Sequence, residues 1–321
     1  MAGMKSVLVT LPITDAHRAQ LEQAVMQSGT PCALMHEPDP TDEQLAGVHC
    51  IIGMVPVERL AAATSLEWLQ LSWAGAGPYC APGALPAGIV LTNASGAYGL
   101  TCSEHMVAFT FELVRRFPEY HRNHARHGWE AAGPITSVEG STVVVLGMGD
   151  IGGSYALKMH ALGARVIGVA RTAHEVPAYA ERMATVEELD EVLPEADIVA
   201  MALPGAPGTE HIIDERRLRL MKPGAFLLNV GRGNAIDPAG LKAVLADGLL
   251  GGVALDVTEP EPLPPDDELW DYDRVFITPH VSGQLFLTKT LDNVIDIAAA
   301  NLQAWLSGQP LTHVVNRELG Y

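Results

Sequence analysis

Three side chains in the C-terminal third of the sequence carry groups suited to work on a carbonyl: Arg232, Glu261 and His280. His280 follows an apolar run and a proline, at the kind of strand end where open α/β sheets meet their ligands. Its imidazole can exchange a proton near neutral pH. Arg232 stands between Gly231 and Gly233 at the end of another apolar run. A guanidinium there stays charged and can grip a carboxylate and a keto oxygen together. Two carboxylates, Glu259 and Glu261, share a Pro-rich loop and are both candidates to pair with the histidine. For each of these residues the plain alternative is a solvated loop side chain.

A fourth feature supplies a place for a dinucleotide. Val143, Val144, Val145 and Leu146 run into Gly147-x-Gly149-x-x-Gly152, with Asp150 and Ile151 between the last two glycines. A helix-like segment follows over 154–162, then a second apolar strand over 166–169. Three glycines at this spacing arise by chance, but a flanking strand and helix make the signal specific. The first permits a tight turn, the second lets backbone approach a pyrophosphate, and the third lets helix and strand pack closely. The helix N-terminus offers unpaired N–H groups to the phosphates.

These groups need a scaffold of buried strands. From residue 142 the pattern predicts strands at 142–146, 165–169, 197–202, 225–229, 252–256 and 274–277, with helices between them, clearest at 218–221 and 239–246. Strands joined by helical crossovers make a doubly wound parallel sheet. Before residue 100 a similar alternation appears, with strands at 7–10, 50–54, 68–72 and 89–92 and a helix at 16–28. A long helix is predicted from about Thr101–Glu104 to before Pro118, capped by Ser103, and a final one over 295–306. The loop 260–267 is rich in Pro and acid.

Composition narrows the function. The chain has 321 residues, 48% of them hydrophobic and 18% charged, enough for about two globular domains. A formal net charge of -18 argues against nucleic acid or an anionic membrane surface as partner. Cys32, Cys50, Cys80 and Cys102 are widely spaced and read as reduced thiols, and no apolar stretch is long enough to span a bilayer. With an N-terminus that reads as a first strand, a cytoplasmic protein is expected. His121, His124 and His127 recur every three residues, but Arg122 and Arg126 stand among them and no metal site is expected. Lys158 and Lys289 suggest no Schiff-base role.

Four motifs stand in order: Gly147-x-Gly149-x-x-Gly152, Asn229-Val-Gly-Arg232-Gly233, Asp256-Val-Thr-Glu-Pro-Glu261-Pro-Leu-Pro264 and Thr278-Pro-His280-Val-Ser282-Gly283. Together they resemble the D-isomer-specific 2-hydroxyacid dehydrogenases, which include glyoxylate/hydroxypyruvate reductases. The likeness covers nearly the whole chain, is weakest before residue 70, and is most specific over 139–283. It implies an α/β fold of two Rossmann-like domains with doubly wound parallel sheets. The substrate domain would be discontinuous, 1–103 and 287–321, and the dinucleotide domain would span 104–286.

The same resemblance implies roles. His280 would protonate the keto oxygen during hydride transfer, Glu261 would pair with it, and Arg232 would orient the acid. A carboxylate beside an imidazole favours its charged form and sets its tautomer. Glu261 is preferred to Glu259 because it opens the Glu-Pro-Leu-Pro run at the family's spacing after Arg232. Asp256 would accept from the nicotinamide carboxamide. The block 71–77 is similar to the family's substrate loop, although Trp73 departs from its pattern. Its Trp73, Ala74, Gly75, Ala76 and Gly77 would hold the substrate, the small residues through backbone N–H groups. Trp73 and Tyr98 would shape the pocket.

Coenzyme choice turns on the end of the second strand. Where the family's NAD-preferring members carry an Asp, this chain has Ala170, followed by Arg171 and Thr172. Arg and a hydroxyl can bind a 2′-phosphate that an Asp would repel, so NADP is expected as the preferred coenzyme, with NAD also usable. A small 2-keto or 2-hydroxy acid is the expected substrate and a homodimer the expected assembly. The rival reading is a catalytically idle, dinucleotide-sensing, corepressor-like protein. Formate oxidation fits less well, because such enzymes carry Gln where Glu261 stands.

Overall fold

The computed structural model describes residues 4–86, 88–172, 174–206 and 208–320. The chain folds into two units, one of residues 1–98 with 285–321 and the other of residues 99–284.

The first unit carries a five-stranded, all-parallel sheet of β1 (Lys5–Val9), β2 (Cys32–His36), β3 (Cys50–Ile52), β4 (Trp68–Gln70) and β5 (Val90–Thr92), in the order β2-β1-β3-β4-β5. Helix α1 (Asp15–Ser28) opens on a capping box between Thr14 and His17 and closes on Gly29 at φ 69°. Two short helices follow, α2 (Asp42–Ala46) and α3 (Gly77–Cys80). The inner strands are buried on both faces, as covered parallel strands must be.

The second unit opens with α4 (Gly99–Val114) and α5 (Phe117–Ala125). Its sheet has seven parallel strands: β6 (Thr142–Leu146), β7 (Arg165–Ala170), β8 (Arg182–Thr185), β9 (Ile198–Met201), β10 (Phe226–Asn229), β11 (Gly252–Leu255) and β12 (Val275–Ile277). The order β12-β11-β10-β9-β6-β7-β8 places the chain reversal beside β6, the arrangement that opens a crevice at the strand C-terminal ends. Helix α6 (Asp150–Ala161) follows β6, with α7 (Leu189–Val192), α8 (Glu215–Leu218) and α9 (Pro238–Ala246) further along. All five residues of β6 are buried. Two apolar layers clothe the sheet, one built on Val144, Leu146 and Ile167 and the other on Val143, Val145 and Val166. The period-two alternation along β6 and β7 feeds both.

The chain then returns to the first unit with α10 (Thr288–Leu306), which packs on α1; His17 Nε2 lies 3.0 Å from Asp292 there.

Several expectations shift. Helix α10 starts seven residues before the predicted position 295, and α8 ends where that helix was predicted to begin. Helix α4 starts at Gly99, so Ser103 lies inside it and caps nothing. Its hydroxyl donates back to the carbonyls of Gly99 and Leu100 and accepts from Lys158 Nζ at 2.7 Å. The histidine-rich stretch forms α5 as far as Ala125, and His121 Nε2 lies 3.2 Å from Glu112. Two strands, β2 and β8, had no counterpart in the sequence reading; both are sheet edges.

Candidate active site

The glycine turn has the geometry its spacing implies. A Cβ at Gly152 would sit 1.9 Å from the carbonyl oxygen of Gly147, so only glycine lets α6 start this close to the turn. At Gly149, by contrast, a Cβ would meet nothing within 4 Å. Gly149 is also the N-cap of α6, and among the described residues no side chain caps that end. Open space above a glycine, at a helix start that no side chain caps, suits a pyrophosphate. The carboxylate of Asp150 turns towards the start of α4, where a Cβ on Gly99 would lie 2.2 Å from its Oδ1. Beyond β7, Arg171 and Thr172 are both exposed, and the Thr172 hydroxyl lies 3.5 Å from His174 Nε2.

Arg232 is held by the backbone around it. The buried Asn229 side chain donates to the Arg232 carbonyl at 2.8 Å and accepts from Gly231 N at 3.0 Å. This locks the turn after β10. Gly233 passes so close to the next loop that a Cβ there would lie 1.8 Å from the Thr258 carbonyl oxygen. The guanidinium spends one N–H on the Gly231 carbonyl at 2.7 Å. A pocket of about 820 Å³ opens here, lined by Arg232, Asn234, Glu259 and Glu261 among others.

The two candidate carboxylates separate cleanly. Glu261 Oε2 lies 3.0 Å from His280 Nδ1, and its other oxygen accepts from Thr258 N at 3.1 Å. Glu259 instead faces His211, with 3.1 Å between Oε2 and Nε2. The peptide bonds preceding Pro260 and Pro262 are cis. His280 itself has φ 51°, the left-handed region that a non-glycine residue rarely adopts.

Asp256 directly follows β11 and turns inward. Its side chain is 0% exposed, and its carboxylate accepts from Thr278 Oγ1 at 2.5 Å, Val281 N at 2.9 Å and Ser282 N at 3.0 Å. Burial pushes this carboxyl up, but the bonds from Ser282, Thr278 and Val281 outweigh it and hold the group below the usual carboxylate range. The carboxylate faces the turn that carries His280. The Asp-to-turn contact was not read from the sequence; the Thr-Pro-His-Val-Ser run one strand later held its only signal.

In the first unit, the segment 72–77 is pinned through its carbonyls. Ser72 accepts from Tyr98 Oη at 2.7 Å, Trp73 from Ala94 N at 3.0 Å and Ala74 from Asn93 Nδ2 at 2.6 Å. Tyr98 is buried and braces this segment. Trp73 is 48% exposed and Gly77 is exposed, Ala74 and Gly75 are half-buried, and Ala76 is buried. Among the described residues no group of three His, Cys, Asp or Glu stands close enough to hold a metal ion, and no helix is long and apolar enough to cross a membrane.

A doubly wound sheet with an imidazole–carboxylate pair and a guanidinium beyond its strand ends fits the dehydrogenase class. This chain belongs to the D-isomer specific 2-hydroxyacid dehydrogenase family, whose NAD binding domain profile matches residues 107–282. Over 274 residues it is 29% identical to a glyoxylate reductase of Thermofilum pendens, covering 83% of this chain and 79% of that one. It is also 29% identical over 277 residues to a glyoxylate/hydroxypyruvate reductase of Arabidopsis thaliana, covering 85% and 84% respectively. A solved D-isomer specific 2-hydroxyacid dehydrogenase family protein from Aeromonas salmonicida matches with a TM-score of 0.84 at 29% identity, over 98% of this chain and 100% of that one. The chain is an NAD(P)-dependent oxidoreductase that moves a hydride between nicotinamide and a 2-keto or 2-hydroxy acid.

Proposed function

We propose that this protein is an NADPH-preferring reductase of small 2-keto acids of the glyoxylate or hydroxypyruvate kind, forming the D-hydroxy acid. The observation that carries the reading is the His280–Glu261 contact of 3.0 Å, with both Glu261 and Arg232 lining one pocket. The bound nicotinamide supplies the hydride. Because Nδ1 of His280 is turned to Glu261, Nε2 is the nitrogen left to give a proton to the keto oxygen. Arg232 draws the substrate's carboxylate and keto oxygen to one guanidinium, which also polarises the carbonyl. The segment 73–77, with Trp73, Ala74, Gly75, Ala76 and Gly77, is assigned to substrate recognition.

The first turn of α6, with Gly147, Gly149, Asp150, Ile151 and Gly152, is assigned to the coenzyme pyrophosphate. Ala170, Arg171 and Thr172 support the NADPH preference, since no carboxylate stands at the strand end to repel a 2′-phosphate. The relatives named above are reductases or dehydrogenases, and none supports the idle, dinucleotide-sensing alternative. A homodimer and a cytoplasmic site complete the reading; the four cysteines are free thiols, as a reducing compartment favours.

A panel of keto acids, with glyoxylate and hydroxypyruvate foremost, tests the proposal when assayed with NADPH and with NADH by nicotinamide absorbance. The expected result is turnover of one of these two acids and a higher kcat/KM with NADPH. No turnover of any keto acid overturns the activity, and a higher kcat/KM with NADH overturns the coenzyme preference.

A further inference from the structure

Helix α4 reaches the turn that carries His280 at three points. Cys102 Sγ and Thr101 Oγ1 both donate to the Ser282 carbonyl, at 3.4 and 3.2 Å. One helical turn on, His105 Nε2 lies 3.1 Å from Thr278 Oγ1. The Thr278 hydroxyl has a single proton and gives it to the Asp256 carboxylate at 2.5 Å. His105 must therefore be the donor in its own contact, with the proton on Nε2. Burial lowers the basicity of His105, which keeps the ring neutral near pH 7, and the ring stands edge-on to Phe109 at 4.4 Å.

The result is a directed chain from His105 through Thr278 to Asp256. Asp256 in turn accepts from Val281 N and Ser282 N, and its backbone carbonyl accepts from His280 N at 2.8 Å. Every residue from 278 to 282 except Pro279 is thus tied to Asp256 or to α4. His280 sits in the middle at φ 51°. A histidine stays in that backbone region only where its surroundings over-determine it.

We propose that His105 is a positioning residue for His280: its N–H, relayed by Thr278 to Asp256, holds the 278–282 turn in the backbone that aims the His280 ring. The inference rests on the proton-donor reading of His280 given above. His105 touches no reacting atom in this scheme. It acts on the rate of the chemical step and not on coenzyme binding.

The test uses the full chain with glyoxylate and NADPH, rates being expressed per coenzyme-binding site so that misfolded protein is not counted. H105L and T278V are each expected to lower kcat about 10–100-fold, the cost of a small misplacement of a catalytic group. H105Q, which restores a donor, and T278S, which restores the hydroxyl, should recover most of the rate. The double variant should lose little more than the worse single one, because both break one chain. Coenzyme Kd should stay within about threefold throughout. If H105L turns over at the wild-type rate while H280A is slow, this inference falls and the catalytic reading stands. If H280A itself turns over normally, the catalytic reading falls first.

Discussion

His280 and Glu261 meet through Nδ1 and Oε2 at 3.0 Å, and Thr258 N fixes the other carboxylate oxygen at 3.1 Å. The carboxylate is therefore aimed by its own loop. An imidazole held by one nitrogen presents the other in a set direction, which is what proton delivery to a carbonyl oxygen requires.

Replacing Glu261 by Gln keeps the shape and removes the charge. Turnover of glyoxylate is expected to fall about 10²–10⁴-fold, as in H280A, with coenzyme affinity nearly unchanged. In the double variant the losses should not multiply, because the two groups act as one unit. Steady-state kinetics and coenzyme titration on the two single variants and the double check this. Multiplying losses would mean that the 3.0 Å contact carries no catalytic weight.

Ala170 ends β7 beside Arg171. An aspartate placed there would accept from the ribose hydroxyls of NADH and repel the 2′-phosphate of NADPH. The ratio of kcat/KM for NADH over NADPH should rise at least about tenfold in A170D, which corresponds to about 1.4 kcal/mol. An unmoved ratio would place the phosphate contact elsewhere.

Asp256 sets a pH dependence of stability. Its folded pKa is depressed relative to the unfolded chain, whose aspartates titrate near about 3.9. The unfolded state therefore binds the proton first on acidification. The stabilisation is fully present above that value and is lost as pH falls through the lower, folded pKa. The titratable groups packed against this carboxylate are His105, with Nε2 at 3.9 Å, and Cys102, whose thiol burial pushes up to about 12. His105 works in the same direction, since protonating a buried neutral ring also favours unfolding below about pH 6.5. Thermal midpoints from pH 7 to 2 should fall less steeply below pH 4 in D256N than in the wild type. At pH 7 the variant should be less stable by about 1.5–3 kcal/mol, the worth of hydrogen bonds to a buried charge. Parallel pH profiles for the two proteins would contradict the assignment.

Most of the fold was legible because covered parallel strands are apolar along their whole length. Residues 142–146 could hardly be anything else: every one is buried in β6. The two strands that escaped, β2 and β8, lie at sheet edges. In β8 only Ala184 is buried, so Arg182, Met183 and Thr185 show no apolar run. Ser103 misled for a local reason. A Ser followed by Glu and an apolar helix reads as a cap, yet Gly99 starts the helix a turn earlier and the hydroxyl bonds back to its carbonyl.

Residue chemistry made Arg232 and His280 candidates and spacing marked the glycine turn; the four motifs standing in order, and the family they resemble, separated the two side chains from solvated loop residues. Residue type alone left Glu259 and Glu261 alike, and only the family's spacing favoured Glu261. The path of the loop through 258–261 turns one to His280 and the other to His211. The inward-facing Asp256 and its link to His105 likewise depend on α4 meeting the 278–282 turn at distances of 3.1–3.4 Å. Contacts between residues more than a hundred positions apart arise from how packed elements approach one another, and no local pattern encodes that.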